Sequence, residues 1–396
     1  MKKRRARNID KDAPAEFNLH KLYEAYWDCR KHKRRTMQAV EFEFDLARNM
    51  HELYEEILND TYEVGKSICF IVTEPKPREV WAGAFRDRIV HHLIYNAIKD
   101  RFIRRFIGDT YSCIPGRGTL RGAKRAAVFA KDVTRNYSRE AYFVKADIGN
   151  FFNSIDKHIL FDLICQYVYE PWLVRLIEKV LFHDPRNNVF MKSPSWLYEQ
   201  LPKYKSLFNT DPNKGLPIGN LTSQFFSNVY LNPLDQFVKN ELQCRYYCRY
   251  VDDMVLMDTD PGFLNHAYAE INRFLIDNLE LWLNHKKKNM NHVTKGFDFV
   301  GHVIKPHRMH LRTRIIKNSF KVLKKWENSP TRFDEKTLID FRNKMNSYLG
   351  MYKHVNGFNI RKELCARSSS LFTIPDKDCS KIKISGYDLL KNDCAV

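Results

Sequence analysis

The 396-residue chain lacks any apolar run approaching the roughly 18 to 20 residues that cross a bilayer, so a membrane-spanning protein is not expected. It also lacks the apolar core of a secretion leader. Met1-Lys2-Lys3-Arg4-Arg5-Ala6-Arg7 could begin one, but the polar stretch Asn8 to Asp12 follows, and the segment reads as a solvated basic arm. Cysteine is sparse: nine residues, an odd number, scattered from Cys29 to Cys394, fit reduced thiols of a cytoplasmic protein better than a disulfide framework. The nearest pair, Cys244 and Cys248, has no second pair at zinc spacing and reads as core. There is no internal repeat and no long low-complexity block, so one continuous globular body with weakly ordered ends is expected. Negative charge is in short supply. Lys+Arg 66 against Asp+Glu 47 leaves +19, which favours a polyanionic partner, nucleic acid before membrane.

What is present is a mixture of helical and strand periods. Leu46, Met50, Leu53, Tyr54, Ile57 and Leu58 recur at three and four and predict a helix over 46–58. Residues 67–72 read as a strand, and Ile89, Val90, Leu93, Ile94, Ala97 and Ile98 place one apolar stripe on a helix over 86–104. Tyr142-Phe143-Val144-Lys145-Ala146-Asp147 reads as a strand ending on a carboxylate. From about 183 to 214 the pattern dissolves into Pro, Asn, Ser and Lys, too long for an ordinary connection, and predicts an insertion or mobile loop. A helix over 223–242, strands over 245–251 and 254–257, a helix over 264–279 and a strand-like run over 296–304 follow. A basic helical region extends to about 366, and the last thirty or so residues show no strong period. Strands and helices mixed around one acidic hairpin predict an α+β fold with a helical appendage.

The acidic hairpin is Tyr250-Val251-Asp252-Asp253-Met254-Val255-Leu256. Adjacent carboxylates between apolar strands repel each other unless cations neutralise them, although Asp is also an ordinary turn residue. A third carboxylate, Asp147, ends another apolar strand. A sheet bringing it beside the hairpin would make an all-oxygen cage for hard divalent ions and two-metal phosphoryl transfer. Asp147 and Asp252 are the expected bridging ligands, with Asp253 nearer one ion or standing just behind the direct ligands.

Here the residues resemble the reverse transcriptase family, over a series of blocks in family order: Pro75-Lys76-Pro77-Arg78, Asp147-Ile148-Gly149-Asn150-Phe151-Phe152, Gly215 to Gln224, Tyr250 to Asp253, the lysines after Leu283-Asn284, and Phe299-Val300-Gly301-His302. The resemblance implies the right-hand polymerase fold of fingers, palm and helical thumb, with an antiparallel palm sheet carrying the catalytic carboxylates. It implies RNA-templated DNA synthesis with two Mg²⁺ ions, Mn²⁺ being a substitute, held by Asp147, the Ile148 backbone carbonyl, Asp252 and Asp253. Lys76 and Arg78 then hold the triphosphate, Phe152 is the steric gate against a 2′-hydroxyl, and Ile218, Gly219 and Gln224 border the nascent pair. A motif lysine, aligned to Lys287 within Lys286-Lys287-Lys288, protonates the leaving pyrophosphate. Phe299, Val300 and Gly301 match the primer grip, and Arg314, Lys317, Lys321, Lys324 and Lys325, at helical spacing, could track a phosphate backbone or simply form a solvated face.

Most reverse transcriptases carry Gln where Ile218 stands and Pro where Gln224 stands. The variant Ile218-Gly219-Asn220-Leu221-Thr222-Ser223-Gln224, with Glu74 to Arg78 and Arg86-Asp87-Arg88-Ile89-Val90, is similar to the enzymes of diversity-generating retroelements. That likeness implies error-prone copying of a template-repeat RNA, with primer or cDNA and dNTPs as further ligands. It also implies a small basic accessory protein as partner, and a cytoplasmic setting in a bacterium or a phage-infected one. A group II intron-like or phage-defence enzyme is the alternative, the absence of an appended DNA-binding or endonuclease module weighing modestly against the intron. A non-catalytic RNA-binding module is the other, and the intact aspartates argue against it. The expected partition is a basic arm at 1–20, fingers with the start of the palm at 21–140, and palm with fingers segments at 141–305 around the insertion near 183–214. A thumb at 306–366 and a tail at 367–396 complete it.

Overall fold

The computed structural model describes residues 16–31, 36–74, 76–331, 334–369 and 373–385. Most of the expected basic arm, Pro75 and the end of the tail lie outside them. Helices α1 (Leu19–Arg30), α2 (Met37–Phe44) and α3 (Leu46–Leu58) lead into strands β1 (Ser67–Val72) and β2 (Arg78–Ala82), then α4 (Phe85–Ile103) and α5 (Thr119–Val133). Strand β3 (Tyr142–Asp147) is followed by α6 (Phe151–Ser154), α7 (Lys157–Cys165), α8 (Pro171–Phe182), β4 (Val189–Met191), α9 (Ser195–Glu199) and α10 (Leu221–Gln236). Next come β5 (Tyr246–Tyr250), β6 (Asp253–Asp258), α11 (Pro261–Leu279), β7 (Asn289–His292), β8 (Phe297–Phe299), β9 (His302–Lys305) and β10 (Arg308–Leu311). Helices α12 (Thr313–Glu327), α13 (Glu335–Tyr352) and α14 (Phe358–Ser368) precede the hairpin β11 (Thr373–Pro375) and β12 (Ile382–Ile384). None of the described helices is long and apolar enough to cross a membrane.

The chain divides into two compact units, interleaved in sequence. The first comprises residues 1–115, 147–243 and 267–286. Its centre is α4, which lies against α1 and α10. The single stripe expected on α4 is wider in fact: beside Ile89, Val90, Leu93, Ile94 and Ile98 the helix buries Asp87, His91 and Arg101, because neighbours cover it on more than one side. Each buried polar group has a partner; Arg101, for instance, pairs through both guanidinium nitrogens with Glu170.

The stretch expected to be an irregular insertion is ordered. Strand β4 pairs in parallel with β1, making a three-stranded sheet in the order β2-β1-β4. Alternation gives the sheet two unlike faces. Cys69 and Trp81 point inward, where Leu207, Val189 and Tyr198 of the insertion cover them. Buried among these, the Glu79 carboxylate accepts hydrogen bonds from Trp81 Nε1 (2.7 Å), Ser206 Oγ (2.6 Å) and the Leu207 amide (2.9 Å). Polar composition hid this order because the segment contributes few apolar residues, each to another element's core.

The second unit comprises residues 116–146, 244–266 and 287–396. A four-stranded sheet in the order β5-β6-β3-β7 and a three-stranded sheet in the order β10-β9-β8 form its strand layers. Helices α12, α13 and α14 share a core of Leu323, Trp326, Phe341, Met345 and Leu364, with the Trp326 and Phe341 rings stacked 4.3 Å apart. The tail without a period is not loose where it is described. Ile382 and Ile384 of β12 join that core, and the Ile382 amide and carbonyl both bond the Asn346 side chain.

Candidate active site

The acidic hairpin forms as the sequence predicts, with Tyr250 paired to Asp253 and only Val251 and Asp252 in the turn. Val251 has φ of 55°, the left-handed region that usually takes Gly in such a turn. A β-branched residue held there costs on the order of 1–3 kcal/mol and must be fixed by its surroundings. Arg249 does this. Its side chain is wholly buried, and Nη1 donates to the Val251 carbonyl at 3.0 Å. Asp147, Asp252 and Asp253 are all half-buried.

Strand β3, which ends in Asp147, neighbours β6, which begins with Asp253. Two residues before Asp147, the Lys145 ammonium lies 3.6 Å from Asp253 and 3.0 Å from Asp298. Asp298 in turn pairs with Arg312 at 2.6 Å, at the entry to α12. Burial alone would raise the Asp298 carboxyl, but Lys145 and Arg312 outweigh it and hold it below the ordinary carboxylate range. Among the described residues no group of three His, Cys, Asp or Glu side chains stands at metal-holding spacing. Asp253 faces an ammonium, which offsets part of the repulsion between adjacent carboxylates.

Beyond β3 the backbone of 147–149 runs antiparallel to 282–284, with Asn284 N donating to the Asp147 carbonyl (2.8 Å) and Gly149 N to the Trp282 carbonyl (2.9 Å). These bonds flank Ile148, so its own carbonyl points away from that partner strand. Phe151 is buried and Phe152 half-buried, their rings 5.3 Å apart, which leaves Phe152 the one able to meet a ligand. Lys286, Lys287 and Lys288 are all exposed, and Lys288 donates to Asn265 at 2.9 Å.

In the first unit the Ile218–Gln224 block is fastened to β2. Trp81 N donates to the Ile218 carbonyl (2.7 Å), and Gly219 has φ of 133°, where a Cβ would stand 2.4 Å from the Trp81 carbonyl oxygen. The glycine is thus required first by the protein's own backbone. Ile218 is half-buried and Gln224 exposed, its Oε1 accepting from Cys113 Sγ at 3.2 Å. Behind the block, Thr222 Oγ1 and His91 Nδ1 share a 2.8 Å hydrogen bond. Burial, with Arg88 and His92 nearby, pushes the His91 imidazole down to about 3, so its ring is neutral. A cavity of ≈ 440 Å³ opens between the block and the sheet, lined by Phe70, Val80, Arg88, His92, Gly219 and Gln224. Lys76 and Arg78 are exposed where β1 turns to β2.

The β8–β9 turn consists of Val300 (φ 43°) and Gly301 (φ 89°), with Phe299 buried beneath. Arg314, Lys317, Lys321, Lys324 and Lys325 are exposed on α12, opposite its buried Ser319, Leu323 and Trp326.

Residues 75–304, more than half of the chain, match the family model for reverse transcriptase (RNA-dependent DNA polymerase). The chain belongs to the reverse transcriptase family. It is 21% identical over 291 residues to Protein YkfC of Escherichia coli, covering 65% of this chain and 71% of that protein. It is 23% identical over 176 residues to an uncharacterized 91 kDa protein in a cob intron of Schizosaccharomyces pombe, covering 44% of this chain but 19% of that one. Among solved structures it is similar to apo telomerase from Candida tropicalis, at 11% identity and a TM-score of 0.46, over 77% of this chain and 61% of that chain. Telomerase from Candida albicans with a TWJ fragment of telomeric RNA gives 11% identity and a TM-score of 0.40, over 73% and 54%. The chain thus spans little more than half of these telomerase chains, and likenesses so distant carry nothing about function.

Reverse transcriptases generally use divalent metal, and the donors here fit it: half-buried carboxylate oxygens at strand ends, beside a carbonyl turned away from its partner strand. Sequence reading missed Arg249, Lys145, Asp298 and Glu79, which hold the presented residues in place. Lys145, an ionisable residue inside an apolar strand, was the available signal; the others became visible only through their partners.

Proposed function

We propose that this chain is an RNA-directed DNA polymerase that copies a template-repeat RNA with frequent errors opposite adenine, as part of a diversity-generating retroelement. Asp147, Asp252 and the Ile148 carbonyl, with Asp253 at one of two Mg²⁺ ions, would hold metals that supply Lewis-acid stabilisation to the transferring phosphoryl group. Lys76 and Arg78 draw in the triphosphate, and the guanidinium offers a planar fork to its oxygens. Phe152 leaves no room for a 2′-hydroxyl. Lys287 gives a proton to the pyrophosphate, Phe299 to Gly301 steady the primer, and the α12 cations follow the duplex backbone. The partners are template RNA, primer or cDNA, dNTPs and a small basic accessory protein, in a bacterial cytoplasm.

One observation carries the error-prone reading. Ile218 has its carbonyl bonded to Trp81 N, so its backbone is fixed and what it offers is a stiff apolar surface. A Gln amide at that position could hydrogen-bond near the nascent pair, and mismatches would leave buried polar groups unpaired. An apolar wall discriminates by only about 1 to 3 kcal/mol per methylene-sized difference. Ile218→Gln is therefore expected to lower misincorporation opposite template adenine more than opposite other bases. Sequencing cDNA from both enzymes on one RNA template tests this; equal adenine-directed error frequencies would sink it. An intron-type enzyme, the reading suggested by the name of the S. pombe relative, would show low and base-independent errors already in the unmutated chain.

A further inference from the structure

The outer face of the β2-β1-β4 sheet carries groups that the polymerase reading leaves unused. Residues 68, 70 and 72 of β1, with Lys66 one step before the strand, and 78, 80 and 82 of β2 share this face, opposite buried Cys69, Glu79 and Trp81. Ile68 is the registered partner of both Ala82 and Phe190, so β4 adds Phe190 to the same face. Phe190 is 53% exposed. The Lys66 ammonium lies 5.8 Å from the Phe190 ring centroid. Lys192 follows two residues later, on the same side and exposed, its amide bonded to the Cys69 carbonyl. From this edge the half-buried Ile68 and Phe70 lead to the cavity bounded by Val80 and Gly219.

We infer that β4 extends the sheet into a stacking platform for single-stranded RNA, with Phe190 as the seat for a base and Lys66 and Lys192 as phosphate contacts. An exposed ring beside one ammonium group, with a second exposed lysine two residues along the strand, suits a partner whose bases are free to stack and whose backbone is anionic. A protein strand adding to the edge is disfavoured, because β4 has only three residues and a lysine, Lys192, follows it directly. The assignment rests on the polymerase reading for the identity of the strand, the template ahead of copying. The covered inner face explains the need for the insertion: Leu207 and Tyr198 support the sheet from behind, so β4 is held rigid at the edge.

The test compares binding of the full chain to two primer–template hybrids, one with a single-nucleotide and one with a six-nucleotide 5′ RNA overhang, by fluorescence anisotropy. Phe190→Ala is expected to lower the ratio of long- to short-overhang affinity about tenfold, the size of one base–aromatic stack. Phe190→Trp should preserve the ratio, and Lys192→Glu should lower it. An unchanged ratio in Phe190→Ala, or equal loss on both hybrids, would overturn the platform. Extension of the short-overhang hybrid by the unmutated chain reports the polymerase reading separately: without extension that reading fails, whatever the affinity ratio does.

Discussion

The two principal sheets are charge inversions of one another. The β5-β6-β3-β7 sheet presents carboxylates, Asp147 and the Asp252-Asp253 pair, and supports them with cations: Arg249 buried under the turn, Lys145 beside Asp253. The β2-β1-β4 sheet presents cations, Arg78, Lys66 and Lys192, and is secured by one buried carboxylate, Glu79. Each arrangement satisfies the same rule, that a desolvated charge needs a partner, while leaving the opposite sign outward. Under the proposed function the difference would suit two ligands, hard cations at one sheet and phosphates at the other.

The largest effect is expected at the outward carboxylates. Asp252→Asn keeps shape and removes charge, and losing a ligand of ions that contribute several kcal/mol should lower primer extension by about a thousandfold. RNA binding and the melting temperature should stay close to those of the unmutated chain. Near-normal extension with Mg²⁺ and dNTPs would erase the functional half of the comparison.

The supporting charges should act on stability instead. Glu79→Ala leaves three donors without their acceptor and should cost about 2 to 3 kcal/mol, together with faster proteolysis within 183–214. Arg249→Ala should cost a similar amount, about 3 kcal/mol from lost packing and the freed Val251 carbonyl, but with a loss of extension that Glu79→Ala does not match. Denaturant melts alongside extension assays check both. If the two variants exchanged behaviours, the division between the sheets would be wrong.

The smallest effect is a pH dependence from His91, which fastens the Ile218–Gln224 block from behind. Its folded value, about 3, lies below its ordinary 6.5, so the unfolded chain takes up a proton that the folded chain refuses. The stability it contributes is fully present above pH 6.5 and is lost as pH falls toward 3. Between pH 7 and pH 5.5 the loss should be about 1 kcal/mol, and His91→Gln should remove that slope. An unchanged slope in the variant would show that other groups carry it.

Sequence by itself determined the elements whose burial pattern is local. The helix over 46–58, the strands ending at Val72 and Asp147, and the turn at Asp252 all form where periodicity places them, because one face of each meets a core and the alternation records it. It also set the order of the motif residue types along the chain, enough for the family. Tertiary structure decided what periodicity cannot express. The polar segment at 183–214 became a strand and a cover only because β1 offered an unpaired edge and Glu79 an acceptor. The tail folded because Asn346 and the core under α13 were there to receive Ile382. Asp253 found an ammonium, Lys145, within 3.6 Å, since the energy of a charge depends on which partner lies within reach, and that is fixed by the packing of strands distant in sequence.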